Sequence, residues 1–214
     1  GDDQAVLGFA HFVRGELHEC RGEFAQALPH LEQALAVGHR IGHPYLLVIP
    51  SWWIGTTTCG LGMYPRALKA LRDGEALCAR IGNRAWHSRL LNTIGWCLAE
   101  IGGHENARDY NVEAGRLARD VGDPEILANS EINLALNHLA LGDGDAARAA
   151  IAPLAAGIDV PGDPWMRWRY TLHVRDALGR IALTDRDPER ALVLADVELA
   201  DARRRGLKRI MVRA

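Results

Sequence analysis

The chain has 214 residues, 48% hydrophobic and 24% charged, with a formal net charge of −2. That profile belongs to a folded globular chain and excludes a disordered or fibrous one. Near-neutrality also removes the basic excess that sequence-independent phosphate binding needs, so no nucleic-acid partner is expected.

From the N-terminus onward, apolar residues recur three, four or six positions apart, as in Leu28, Leu31 and Leu35 and again in Leu68, Leu71 and Leu77. This spacing predicts helix after helix and no strand. Above it lies a longer period. Ala27, Ala67 and Ala107 stand forty residues apart, then Ala147, with Ala191 after a slightly longer step. Fifteen residues after each alanine comes a glycine: Gly42, Gly82, Gly122, Gly162 and Gly206. Twelve residues before each comes a small residue: Gly15, Gly55, Gly95, Ala135 and Gly179. Five residues before the first four alanines stand Gly22, Gly62, Gly102 and Gly142, whereas the fifth copy has Arg186.

Each column has a steric reading. The small residue and the alanine belong on facing helices, where only a small side chain lets two backbones close up. The glycine between them suits the turn from helix A to helix B, where a positive φ is cheap only for glycine. The last glycine ends helix B as its left-handed cap. Asp123-Pro124-Glu125, Asp163-Pro164 and Asp187-Pro188-Glu189 then supply a capping aspartate and a proline at the first helical position. The prediction is one domain of ten helices of roughly fifteen to eighteen residues each. Its hairpins cover 4–42, 43–82, 83–122, 123–162 and 163–206, with a further repeat beginning at 207–214. Gly157, Pro161 and Gly162 predict a longer connection between the fourth and fifth repeats, covered by Trp165 and Trp168.

The order Gly15–Gly22–Ala27, repeated as Gly55–Gly62–Ala67 and Gly95–Gly102–Ala107, resembles the tetratricopeptide (TPR) signature over essentially the whole chain. The forty-residue period departs from the usual, shorter TPR repeat. The endings Arg80-Ile81-Gly82 and Val121-Gly122-Asp123-Pro124, with the run Trp165-Met166-Arg167-Trp168-Arg169-Tyr170, resemble the helical region of large bacterial signalling proteins. Those are transcription activators of the maltose-regulator type and multidomain ATPases fused to nucleotide cyclases. The resemblance implies an all-α superhelix whose A helices line a concave face. Both ends of the chain read as cut from a longer protein.

That register places Ile49, Trp52, Trp53 and Thr56 of the second repeat on the inner stripe. It adds Arg89, Asn92, Trp96 and Glu100 from the third, Asn129 and Asn133 from the fourth, and His173, Asp176 and Arg180 from the fifth. Aromatic rings beside amides suit a peptide, the amides pairing with main chain and the rings anchoring it. Packing between hairpins accounts for the tryptophans equally well. The basic clamp that some TPR proteins use for a carboxylate is not matched.

Catalytic signals are missing. Gly55 to Gly62 is glycine-rich, but no lysine follows and no strand precedes it, so a phosphate loop is rejected. Gly142-Asp143-Gly144-Asp145 has the wrong spacing for a calcium loop and reads as a turn with a capping aspartate. His39 and His43, or His11 and His18, lack the third ligand a metal needs. Cys20, Cys59, Cys78 and Cys97 form no C-x-x-C pair and read as small thiols buried in a reducing compartment. The run Arg203-Arg204-Arg205 fits a helix C-terminus. No signal peptide is visible, and the most apolar stretch, Tyr45 to Ile54, is too short to span a bilayer. The expectation is a cytoplasmic, non-enzymatic scaffold without cofactor or metal, binding a protein, a peptide or domains of its parent chain. The alternatives are a small-effector sensor attached to an ATPase or cyclase, and a structural spacer or homo-oligomerisation surface.

Overall fold

A computed structural model describes residues 2–157 and 164–205. Ten α-helices make up the described residues: α1 (Asp2–Cys20), α2 (Phe24–Ile41), α3 (Pro44–Gly60), α4 (Tyr64–Ile81), α5 (Arg84–Glu100), α6 (His104–Val121), α7 (Pro124–Ala140), α8 (Gly144–Gly157), α9 (Pro164–Thr184) and α10 (Pro188–Arg205). Odd-numbered helices are the A helices and even-numbered ones the B helices, paired as antiparallel hairpins. No strand occurs among the described residues.

The turns form as the glycine columns dictate. Gly22, Gly62, Gly102 and Gly142 have φ between 74° and 83°. Gly42, Gly82 and Gly122 end α2, α4 and α6 in the left-handed region. Arg186 takes the same turn conformation at φ 59°, without the freedom of glycine. The capping aspartates also behave as read: Asp123, Asp143 and Asp187 accept hydrogen bonds from the amides of Ile126, Ala146 and Arg190, each at 3.0 Å. Gly162, Asp163, Gly206 and residues 207–214 lie outside the described residues, as do the side chains of Trp165 and Trp168.

The steric column is real, but its partner is not the alanine alone. A Cβ on Gly15 would stand 2.6 Å from Leu31, and one on Gly55 would stand 2.4 Å from Leu71. At Gly95 it would meet Asn111 Nδ2 at 2.5 Å and the Ala107 carbonyl at 3.0 Å. The residue four places beyond the alanine therefore fills the notch, while Ala27, Ala67, Ala107 and Ala147 are fully buried beside it. Along the middle of the stack Val48, Leu71, Leu90, Ile94 and Cys97 form one continuous core. Cys59, Cys78 and Cys97 are buried, with burial pushing the Cys78 thiol up to about 12, but Cys20 is exposed and corrects the expectation of four buried thiols.

Successive A helices touch: α1 meets α3, α3 meets α5, α5 meets α7, and α7 meets α9. Successive B helices make no comparable contact. The stack therefore closes on its A side, and the A helices form the inner face.

Candidate functional site

On that inner face α3 and α5 are bound by an aromatic and cationic ladder. The Trp52 and Trp53 rings meet edge to face at 4.9 Å, and Trp52 meets Trp86 at 6.0 Å. The Arg89 guanidinium lies 5.6 Å from the centroids of both Trp52 and Trp86. A cation so placed is attracted to the negative face of each ring. Its nitrogens donate to both carboxylate oxygens of Glu125 at 3.2 and 3.3 Å, with Asp123 at 3.7 Å. Two of the Arg89 partners thus come from the start of α7, one repeat further on. Trp52 Nε1 donates to Thr93 Oγ1 at 2.7 Å, and Thr93 donates in turn to the Arg89 carbonyl at 2.9 Å. The rings are partly exposed and held from behind.

The amides have a different surrounding. Asn92 is buried, and its Nδ2 donates to Asn111 Oδ1 at 2.9 Å and Ser130 Oγ at 3.3 Å. Asn133 Nδ2 donates to the same Asn111 oxygen at 3.3 Å, and Asn111 Nδ2 donates to the Ala107 carbonyl at 2.8 Å. This network ties α5, α6 and α7 together. The sequence places Asn92 on the groove surface; the structure buries it among helices, because Asn111 occupies the notch that leucine fills in the first two repeats. Asn129 is half-buried one register step from Arg89.

The remaining candidates are local. Trp96 Nε1 donates to Glu100 one helical turn on at 2.9 Å, with the ring partly buried. Thr56 donates to the Trp53 carbonyl at 3.0 Å. Arg180 donates to Asp176 at 2.9 Å. The structure therefore brings Trp52, Trp53 and Arg89 together and holds Asn92 with Asn133. It leaves the pair Asp176–Arg180 in the last hairpin as a separate contact. Sequence reading missed Trp86, Thr93, Asn111, Ser130 and Glu125. One signal could have found the last: ion pairs thirty-four to thirty-seven residues apart recur, as in Arg66–Glu32, Arg84–Asp120, Arg89–Glu125 and Arg148–Asp185.

A cavity of about 230 Å³ opens beside Pro44, Tyr45, Val48, Ile81 and Asn83, and includes none of Trp53, Asn92 and Trp96. Among the described residues no group of three or more His, Cys, Asp and Glu could hold a metal ion. No helix there is long and apolar enough to cross a membrane.

Comparison of the backbone with solved structures decides the fold. The chain superposes on BtubC (BKLC) from P. vanneervenii with a TM-score of 0.75 at 16% identity, covering 95% of this chain and 82% of that one. A P. anserina putative kinesin light chain with nearly identical TPR-like repeats matches at a TM-score of 0.67 and 15% identity, over 94% and 97% of the two chains. This is the TPR-like helical-repeat fold. The Rap conjugation gene regulator of plasmid pLS20, solved with the Phr* peptide, gives a TM-score of 0.77 at 16% identity over 94% of this chain. The TPR-like chain spans only about half the length of the Rap proteins, 54% and 55% of the two compared. No sequence-family profile matches it, and no curated protein matches it in sequence.

Proposed function

We propose that this TPR-like stack is a protein-interaction scaffold whose inner face binds a peptide or an exposed segment of a partner. One observation carries the reading: partly exposed indole rings on neighbouring A helices are fixed in place before any ligand arrives. Ordering rotamer-rich side chains on binding costs about 0.5–1.5 kcal/mol each, so rings already held by Thr93 and Arg89 make inexpensive anchors. The Rap conjugation gene regulator was solved with the Phr* peptide, and another Rap protein with Competence and Sporulation Factor, which supports the same use of this fold. Arg89 pairs with Glu125 through both terminal nitrogens, and we assign it to orienting Trp52 and Trp86 rather than to clamping a ligand carboxylate. Trp52 and Trp86, with Trp53 packed edge to face on Trp52, are the anchoring rings proposed for the ligand, Thr56, Trp96 and Asn129 are further contacts, and Asp176 and Arg180 extend the face toward α9. A cytoplasmic bacterial signalling protein, with the stack reading a partner or domains of its own parent, is the setting in which we place it.

The test is selection of a random peptide display library on the purified chain, followed by titration of enriched peptides against wild type, Trp53→Ala and Trp96→Ala. A hot-spot ring is worth about 2 kcal/mol, so a loss of roughly thirtyfold is expected. Enriched peptides that bind both variants as tightly as wild type would remove the inner face as the site.

A further inference from the structure

Glu16 occupies on α1 the inner-face register of Thr56 on α3, Trp96 on α5 and Arg180 on α9, each one residue past the small-residue column. At this register the polar partner comes from the residue's own helix. Thr56 donates to the Trp53 carbonyl at 3.0 Å, Trp96 Nε1 to Glu100 at 2.9 Å and Arg180 to Asp176 at 2.9 Å. No neighbouring hairpin supplies any of them. Glu16 is half-buried, and no described residue gives its carboxylate a hydrogen bond or an ion pair. Desolvation alone holds its pKa above the ordinary carboxylate value.

The surroundings of that carboxylate are apolar and aromatic. Phe12, one turn before Glu16 on α1, and Trp53 of α3 pack against the same buried group of Ala27, Leu31 and Ile54. The arginines of the inner face are matched elsewhere, Arg89 by Glu125 and Asp123, and Arg180 by Asp176. Glu16 is thus an acid with no counter-charge beside the anchoring rings. A carboxylate that has given up water and gained no cation is a cost to the unliganded chain, and a cation arriving from outside recovers it. A neighbouring indole face adds attraction for the same cation.

We infer that Glu16 receives a cationic side chain, arginine or lysine, of the peptide segment that lies on the inner face. The assignment rests on the inner-face reading above and adds to it the kind of sequence selected. Its spacing follows from the stack. Packed neighbouring helices stand about 8–10 Å apart, and an extended chain advances about 3.3 Å per residue. The cation on α1 therefore falls about three residues from the apolar side chain seated on Trp52 of α3.

The probe is a synthetic bead library of short N-acetylated, C-amidated peptides, in which side chains supply the only cations, selected on the full chain. Peptides that lose binding to Trp53→Ala should carry arginine or lysine about three positions from an aromatic or aliphatic residue. An enriched arginine peptide and its citrulline twin, alike in shape but uncharged, are then titrated against wild type and Glu16→Gln. Removing the charge should weaken binding about tenfold on wild type and less than about twofold on Glu16→Gln. The variant replaces an unmatched carboxylate by a neutral amide of the same size, so its Tm should equal or exceed that of wild type. The citrulline exchange on wild type reads the cation on unaltered protein. Equal losses on both proteins, or Trp53-dependent peptides without enriched basic residues, overturn the assignment and leave the inner-face reading standing. A library in which no peptide depends on Trp53 removes the inner face, and this assignment with it.

Discussion

The second and fifth hairpins follow the same pattern of small residues, and the structure treats them differently. In the second, Gly55 is pressed against Leu71, Gly62 makes the turn, and the surrounding side chains merge into the continuous central core. In the fifth, a Cβ on Gly179 would meet nothing nearer than Leu194 at 3.9 Å, and the turn is made by Arg186. A conserved-looking letter therefore does not carry a fixed energy. Glycine is obligatory where a neighbour occupies the space of its missing side chain and merely permitted where none does.

Substitutions at these positions sharpen the contrast. Gly55→Val should cost about 3 kcal/mol or more in urea denaturation, because fully buried Leu71 has nowhere to retreat. Asn111→Ala should come next, at about 1–3 kcal/mol, by taking from the buried Asn92 amide its 2.9 Å acceptor and opening the notch beside Gly95. Gly179→Ala should run the other way, stabilising by up to about 1 kcal/mol through helix propensity; a loss as large as at Gly55 would erase the distinction between the hairpins. Arg186→Gly should gain about 0.5–1 kcal/mol by relieving a left-handed non-glycine turn, read as a small rise in Tm.

The smallest effect concerns the first hairpin and pH. His30 stacks with His11 and His18 at ring distances of 5.9 and 5.8 Å. Desolvation first, then Arg14 and the two neighbouring imidazoles, hold its pKa below the ordinary 6.5. Below-normal basicity in the folded state means that folding favours neutral His30. Its contribution is complete above the unfolded value near 6.5 and declines as pH falls through the folded value. Melting should weaken from pH 7.5 to 5, and His30→Gln should flatten that dependence. An unchanged slope in the variant would assign the effect to other groups.

How much of this was legible follows from the range of each interaction. Glycine, proline and aspartate act within one turn of backbone, so the helix ends and hairpin turns could be read directly, up to and including the capping hydrogen bonds of Asp123, Asp143 and Asp187. The notch-filling role of Leu31, Leu71 and Asn111 could not, because an apolar residue four beyond an alanine looks like any other core position. Asn111 in particular reads as a surface amide until Asn92 and Asn133 are seen to converge on it. At the inner face, the tryptophans were visible as types and positions. That Arg89 is claimed by an acid thirty-six residues downstream, and so serves the rings and not a ligand, depends on how one repeat is set against the next.

The one-sided contact between repeats has a mechanical consequence. Neighbouring A helices are in touch along the inside, while neighbouring B helices leave the outside loosely joined. Each B helix also packs on the A helix that follows it, α2 on α3, α4 on α5 and α6 on α7, so every A helix is gripped from both sides. A shift of one hairpin is therefore handed on to the next through packed side chains, which makes the spacing of neighbouring repeats a property of the whole stack and not of any single turn.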